Sequence, residues 1–120
     1  MNFGKIKYLL IASIFIQIIF SSFNDNYCSN KIDSLLAQLK KTDGIEKVNI
    51  LNQLAEKSTT ILLEDALKYA RQALDYSIKI KYDKGKADAY ITLAFYNSIK
   101  RKFNEASSFI NSADSIYKRQ

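Results

Sequence analysis

From Ile32 onward, apolar residues recur every three or four positions almost to the end of the chain. That spacing is the period of an α-helix with one face turned inward. Segment one, NKIDSLLAQLKK, places Ile32, Leu35, Leu36 and Leu39 on one face and ends at Thr42–Gly44. Segment two, IEKVNILNQLAEK, does the same with Val48, Leu51, Leu54 and Ala55, with Ile50 beside them. Ser58-Thr59-Thr60 then offers side chains suited to capping the next helix start. Segment three is read from Ile61 to Tyr82, and its stripe is Leu63, Ala66, Leu67, Ala70, Ala73, Leu74, Ser77 and Ile78. A second row, Leu62, Tyr69, Tyr76 and Ile80, widens the apolar sector, which implies more than one packing neighbour. Asp83-Lys84-Gly85 is expected to break this segment. Segment four, KADAYITLAFYNSIKR, carries two rows: Tyr90, Leu93 and Ala94, then Ala87, Ile91, Phe95 and Ile99. Segment five divides sharply. Phe103, Ala106, Phe109, Ile110, Ala113, Ile116 and Tyr117 lie on one face, and Asn104, Glu105, Ser108, Asn111, Ser112 and Ser115 on the other. Connections this short join antiparallel neighbours, so the chain reads as all-α, a series of helical hairpins.

The first 23 residues follow another pattern. Lys5 and Lys7 precede an apolar run from Tyr8 to Phe20, broken only by Ser13 and Gln17, and a polar stretch starts at Ser21. This is the layout of a secretory signal peptide. The run is shorter than the roughly 20 residues a spanning helix needs, although extension to Phe23 leaves an uncleaved membrane anchor as the alternative. Residues 24–29 read as a linker. Cys28 invites a lipoprotein reading, but Asp25 and Tyr27 suit a lipidation signal badly, and an incidental cysteine is the simpler account. The following chain is expected to be exported, either periplasmic or secreted, with a membrane tether where the leader is kept.

Composition narrows the chemistry. The 120 residues allow one small domain; there is no proline, no histidine and one cysteine, with three glycines and 48% hydrophobic residues. A His/Cys zinc site, an intrachain disulfide and a Ser-His-Asp or Cys-His pair are therefore excluded. Glu64 and Asp65 are sequence neighbours and point about 100° apart on a helix, which suits N-terminal helix charge better than acid–base work. With no glycine-rich phosphate loop, the chain is expected to have no catalytic residues, no metal and no cofactor. The net charge is +6, and the basic clusters Lys79–Lys86 and Lys100–Lys102 read as solvated helix ends and not as a nucleic-acid surface.

Segments two plus three and four plus five look like two copies of one unit. Each starts with a Leu-Ala pair, Leu54-Ala55 or Leu93-Ala94, followed by an alanine at Ala66 or Ala106 and another seven residues later at Ala73 or Ala113. This pattern resembles the tetratricopeptide repeat (TPR) family, whose helix pairs carry W-x2-L-G-x2-Y and then A-x3-F-x2-A. Tyr90, Leu93, Ala94, Ala106, Ile110 and Ala113 match that pattern. Asn97 and Lys118 depart from the family's tyrosine and proline, and Ala70 stands where a ring is usual. The copies are 40 residues apart (Ala66 to Ala106), against about 34 in the family, and the excess is assigned to segment three. The leading residues 30–41 and the pairs 45–82 and 86–118 would then form a short TPR-like α-solenoid. The layout also resembles extracytoplasmic repeat regions of bacterial sensor and regulator proteins.

The resemblance implies a function and a site. In this family the first helix of each pair lines a concave groove. Register from the leucine carries that role to Asn49, Asn52 and Glu56 in the first unit and to Asp88, Ile91, Phe95, Ser98 and Ile99 in the second. Packing of Ile91, Phe95 and Ile99 against segments two or three is the competing account, and a solvated side chain is the competing account of Asn52. The expectation is a non-enzymatic module that binds a protein or peptide, with a sensory input domain of a membrane signalling protein as the alternative. Two repeats are fewer than such arrays usually need. Marginal stability alone is therefore expected, with self-association through the C-terminal helix or a partner on that end.

Overall fold

Five α-helices make up the described part of the chain in the computed structural model: α1 (Phe3–Leu39), α2 (Gly44–Ser58), α3 (Leu63–Lys79), α4 (Asp83–Ile99) and α5 (Phe103–Tyr117). The structure describes residues 2–120, with residues 23–26 and 28 described by backbone alone. The chain divides into two units, one ending at Asp33 and the other comprising Ser34–Gln120. Each is taken by itself.

In the first unit, α1 begins with Phe3–Ser22, a stretch of 20 residues with mean hydropathy 1.7 and no buried side chains. It is long and apolar enough to be a signal or an anchor. The polar residues 24–29, read as a linker, also lie within α1. Asn, Asp and Ser lower helix propensity by only a few tenths of a kcal/mol each. No proline occurs, and no glycine lies between Gly4 and Gly44 to interrupt the helix. The lipidation reading of Cys28 concerns a side chain outside the described residues.

The second unit is built from the last turns of α1 and all of α2–α5. Consecutive helices pack in pairs, α2 on α3, α3 on α4 and α4 on α5, and α2 also reaches α4. Its buried residues are mostly small. Leu51, Ala73 and Ala89 meet at one junction of α2, α3 and α4, with Leu39, Tyr69 and Leu74 packed around them. Ala55, Ala70 and Leu93 meet at a second junction, flanked by Leu67, Tyr90 and Phe109. Ala87, Ala113 and Ile116 join α4 to α5. The three alanines of segment three are thus fully buried, and they let three helix backbones approach one another. Ala70, where the family pattern has a ring, packs with Ala55 and Leu93 and is fully buried.

Three boundaries differ from the sequence reading. Helix α3 starts at Leu63 and ends at Lys79, shorter at both ends than the expected 61–82. Leu62 is extended (φ −143°), and Lys81 turns left-handed (φ 57°). Asp83-Lys84-Gly85 forms the first turn of α4 and breaks nothing. The hydroxyls of Thr59 and Thr60 donate back to the carbonyls of Glu56 (2.7 Å) and Lys57 (3.3 Å), so they finish α2 and do not cap α3. The excess spacing does not sit in α3 alone either. Helices α3, α4 and α5 start at Leu63, Asp83 and Phe103, a regular step of 20 residues shared by helices and turns.

That regular step comes from a repeated turn. The Tyr82 N–H donates to Ser77 O (2.8 Å) and the Lys81 N–H to Ile78 O (3.2 Å). The Lys102 N–H donates to Asn97 O (2.8 Å) and the Arg101 N–H to Ser98 O (3.0 Å). Both are Schellman endings, which place one residue in the left-handed region. Here that residue is Lys81 or Arg101 (φ 59°), not glycine. Glycine serves elsewhere. A Cβ on Gly85 would fall inside van der Waals contact of Val48 Cγ1 and 2.5 Å from Tyr82 Cδ1. This glycine therefore sets how closely α4 approaches α2, and its carbonyl accepts the Asn52 side-chain amide (2.9 Å).

Two stability effects of opposite sign are expected. Lys81→Gly relieves a left-handed non-glycine residue and should raise stability by about 1 kcal/mol. Gly85→Ala overfills the α2–α4 contact and should lower it by about 1–3 kcal/mol. Urea melts followed by circular dichroism check both; a stabilised Gly85→Ala variant would contradict the close-approach account.

Candidate functional site

The α2–α4 contact held by Gly85 opens into a cleft of about 540 Å³. Its α2 wall is Glu46, Asn49, Asn52, Gln53 and Glu56, spaced as a helical stripe. Its other wall is Tyr82, Lys84, Asp88, Ile91 and Thr92, from the turn before α4 and from α4 itself. Five of the eight residues expected to contact a partner, Asn49, Asn52, Glu56, Asp88 and Ile91, therefore share one cleft. Phe95 and Ser98 line a second groove, between α4 and α5, whose wall Ile91 shares. Ile99 is exposed and lines neither. Packing of Ile91 and Phe95 against α2 or α3 does not bury them, for they are 50% and 47% exposed.

Several cleft residues already have internal work. The Tyr82 hydroxyl donates to Asn49 Oδ1 (3.2 Å). The Asn52 amide nitrogen is used on Gly85, while its Oδ1 is buried without a hydrogen-bond partner. Asp88 is held at both oxygens, by the Tyr117 hydroxyl (2.6 Å) and by Lys84 Nζ (2.9 Å). Glu46 and Glu56 form no ion pair among the described residues. The cleft thus presents three carboxylates against one ammonium, on a chain whose net charge is +6. No group of His, Cys, Asp and Glu among the described residues is arranged to hold a metal ion.

Lys84 and Lys86 were expected at or near a helix C-terminus and stand instead in the first turns of α4, paired with Asp88 (2.9 Å) and Asp83 (2.8 Å). Tyrosines tie the helix ends together in a repeating way. Tyr76 near the end of α3 donates to Asp43 before α2. Tyr96 on α4 donates to Glu64 at the start of α3 (3.2 Å), where Lys100 also pairs (2.9 Å). Tyr117 at the end of α5 donates to Asp88 on α4. The Tyr76 bond and the Gly44 N–H hold the Asp43 carboxyl below its ordinary range. Lys100, then Tyr96, does the same for Glu64. These depressed carboxylates add stability above the ordinary carboxylate range, which is lost as acid protonates them.

Glu46, Gln53, Lys84 and Thr92 escaped the sequence reading, although a polar helical spacing on α2 and α4 carried them. Tyr82 was missed because the turn that places it was read as helix. Comparison with family models, with curated proteins and with solved structures returns no match.

The Asp88 bond, with burial added, pushes the Tyr117 phenol up to about 12 from an ordinary value of 10.0. Its raised folded value means the stabilisation is complete below pH 10.0 and disappears as pH rises through about 12. Ultraviolet titration of the phenols should show one group ionising at about pH 12, and Asp88→Asn should move it back toward the ordinary value. A full set of phenols ionising together near their ordinary value would contradict the bond.

Proposed function

We propose that residues 34–120 act as a TPR-like, non-enzymatic interaction module that binds a protein or peptide partner in the α2–α4 cleft. The observation that carries this reading is the convergence of Asn49, Asn52, Glu56, Asp88 and Ile91 on one cleft. They are the positions that register from the leucine assigns to the inward side of the first helix of each pair. The contact between α2 and α4, the first helices of the two pairs, supports the same reading. The lining favours a basic segment. Among the described residues Glu46 and Glu56 form no ion pair, and Ile91 and Tyr82 offer apolar surface for a lysine or arginine stem.

The apolar start of α1 supports export, to the periplasm or outside the cell, with a membrane tether where the helix is retained. That same helix supports a second reading, an extracytoplasmic sensory input domain of a membrane signalling protein.

Selection of a random displayed-peptide library on the full chain in mild detergent tests the cleft. Enriched peptides should carry lysine or arginine and lose at least about tenfold in affinity to Glu56→Lys, because a like charge is placed at the site. Peptides that bind the wild type, Glu56→Lys and Glu46→Lys equally would place binding elsewhere and end this reading.

A further inference from the structure

Between Phe3 and Ser22 the first unit carries one side chain at odds with its surroundings. Gln17 sits between Ile16 and Ile18 in a stretch of 20 residues with no buried side chains. At 1.5 Å per residue it lies about 7 Å inside the Ser22 end, so in the tethered form it is within the hydrocarbon of the bilayer. The serines of this stretch are satisfied by their own helix. Ser13 Oγ donates to Leu10 O (3.2 Å), and Ser21 Oγ and Ser22 Oγ each donate to Ile18 O (2.9 Å). No hydrogen bond engages the Gln17 side-chain amide among the described residues. A carboxamide in hydrocarbon without a partner is costly, because no water replaces the bonds it gives up.

The sequence that follows favours the tethered form. Its small residues from Ser21 to Asn30 are Ser21, Ser22, Cys28 and Ser29. No two of them stand two positions apart, the small-x-small spacing of a leader cleavage site. Lys5 and Lys7 set the direction of insertion, with the lysines on the cytoplasmic side. Every copy therefore inserts the same way, and Gln17 stands at one depth in all of them.

A second copy is the partner whose chemistry fits. A primary amide donates through Nε2 and accepts through Oε1, so two Gln17 side chains facing each other across a two-fold axis satisfy one another. Ser13 and Ser21 stand four residues to either side, on the same helical face. Their small side chains let two backbones come close enough for that exchange. A helix of another protein would have to offer a polar group at this same depth beside small residues; a second copy does so by symmetry.

We infer that the retained α1 helix pairs in parallel with the α1 helix of a second copy, through a face of Ser13, Gln17 and Ser21 joined by reciprocal Gln17 amide bonds. Pairing rests on retention of the helix, and it is independent of the α2–α4 cleft and of whatever occupies it.

The full chain, purified from membranes in detergent, tests each step. Mass spectrometry should give a chain with the apolar stretch still attached, and sedimentation equilibrium in density-matched micelles should give a dimer. Gln17→Leu should raise the dissociation constant at least about fivefold, and Gln17→Asn, which keeps the amide, should restore most of the association. In native membranes, with Cys28→Ser as the background, mild oxidation should join chains carrying Ser13→Cys and leave those carrying Phe15→Cys unjoined, because the two positions point about 200° apart on the helix. A mass that lacks the apolar stretch overturns the inference and leaves the cleft reading standing. A monomer, or a dimer that Gln17→Leu leaves intact, overturns the pairing itself. A dimer that survives Gln17→Leu and is lost with Ile110→Asp belongs to the second unit and overturns it likewise. Disulfides formed only with other proteins assign the face to a foreign helix and overturn it as well.

Discussion

Close approach of helix backbones is the constraint on which this structure depends. Seven small residues, Ala55, Ala70, Ala73, Gly85, Ala87, Ala89 and Ala113, occupy the contacts between α2, α3, α4 and α5, and all are buried. Alanine buries little area of its own. Its value at a crossing is that two backbones come close enough for many weak dispersion contacts to accumulate. Leucines and tyrosines beside each alanine, such as Leu51, Leu74, Tyr69 and Tyr90, seal the edges. The stacked Tyr90 and Phe109 rings, 5.8 Å apart, do this at the α4–α5 side. A core of this kind tolerates enlargement poorly, because every added methylene pushes a helix and not merely a side chain.

The turns convert that constraint into regularity. Two Schellman endings of the same geometry return the chain after equal lengths, and tyrosine–carboxylate bonds join the end of one helix to the start of its predecessor. Exposed bonds of this type contribute little stability. Their effect is on register, since a one-turn slide would separate Tyr96 from Glu64 and Tyr117 from Asp88 together. Asp88 shows how structure and recognition share groups here. Its carboxylate lines the α2–α4 cleft, yet both oxygens are engaged by Tyr117 and Lys84, so it shapes the cleft's charge more than it offers a free acceptor.

Much of the second unit could be read from the residues. Of the stripe read on α3, Ala66, Ala70, Ala73 and Ser77 are buried, because helical periodicity places them on one side whatever they pack against, while Ile78 of the same stripe is exposed. On α2, the register of the TPR resemblance pointed to Asn49, Asn52 and Glu56 and passed over Glu46 and Gln53 of the same wall. Phe95 and Ser98 were not separable from Ile91 in that way. They share a helix with it, and only the placement of α5 decides that they line the α4–α5 groove alone while Ile91 lines both. The turn at Ile80–Tyr82 was hidden because lysine in the left-handed region carries no local signal, whereas Gly85 carries a strong but misleading one.

By itself, the sequence determined that this chain is helical, where its apolar faces lie, and that its first twenty-odd residues are apolar enough for a signal or an anchor. Those properties follow from periodicity and composition, which are local. The tertiary structure decided which alanines meet, that Gly85 is a contact and not a break, and that the inward residues of α2 and α4 divide between two grooves. Those properties depend on distances between segments remote in sequence, and such distances are set by packing, which no single segment encodes alone.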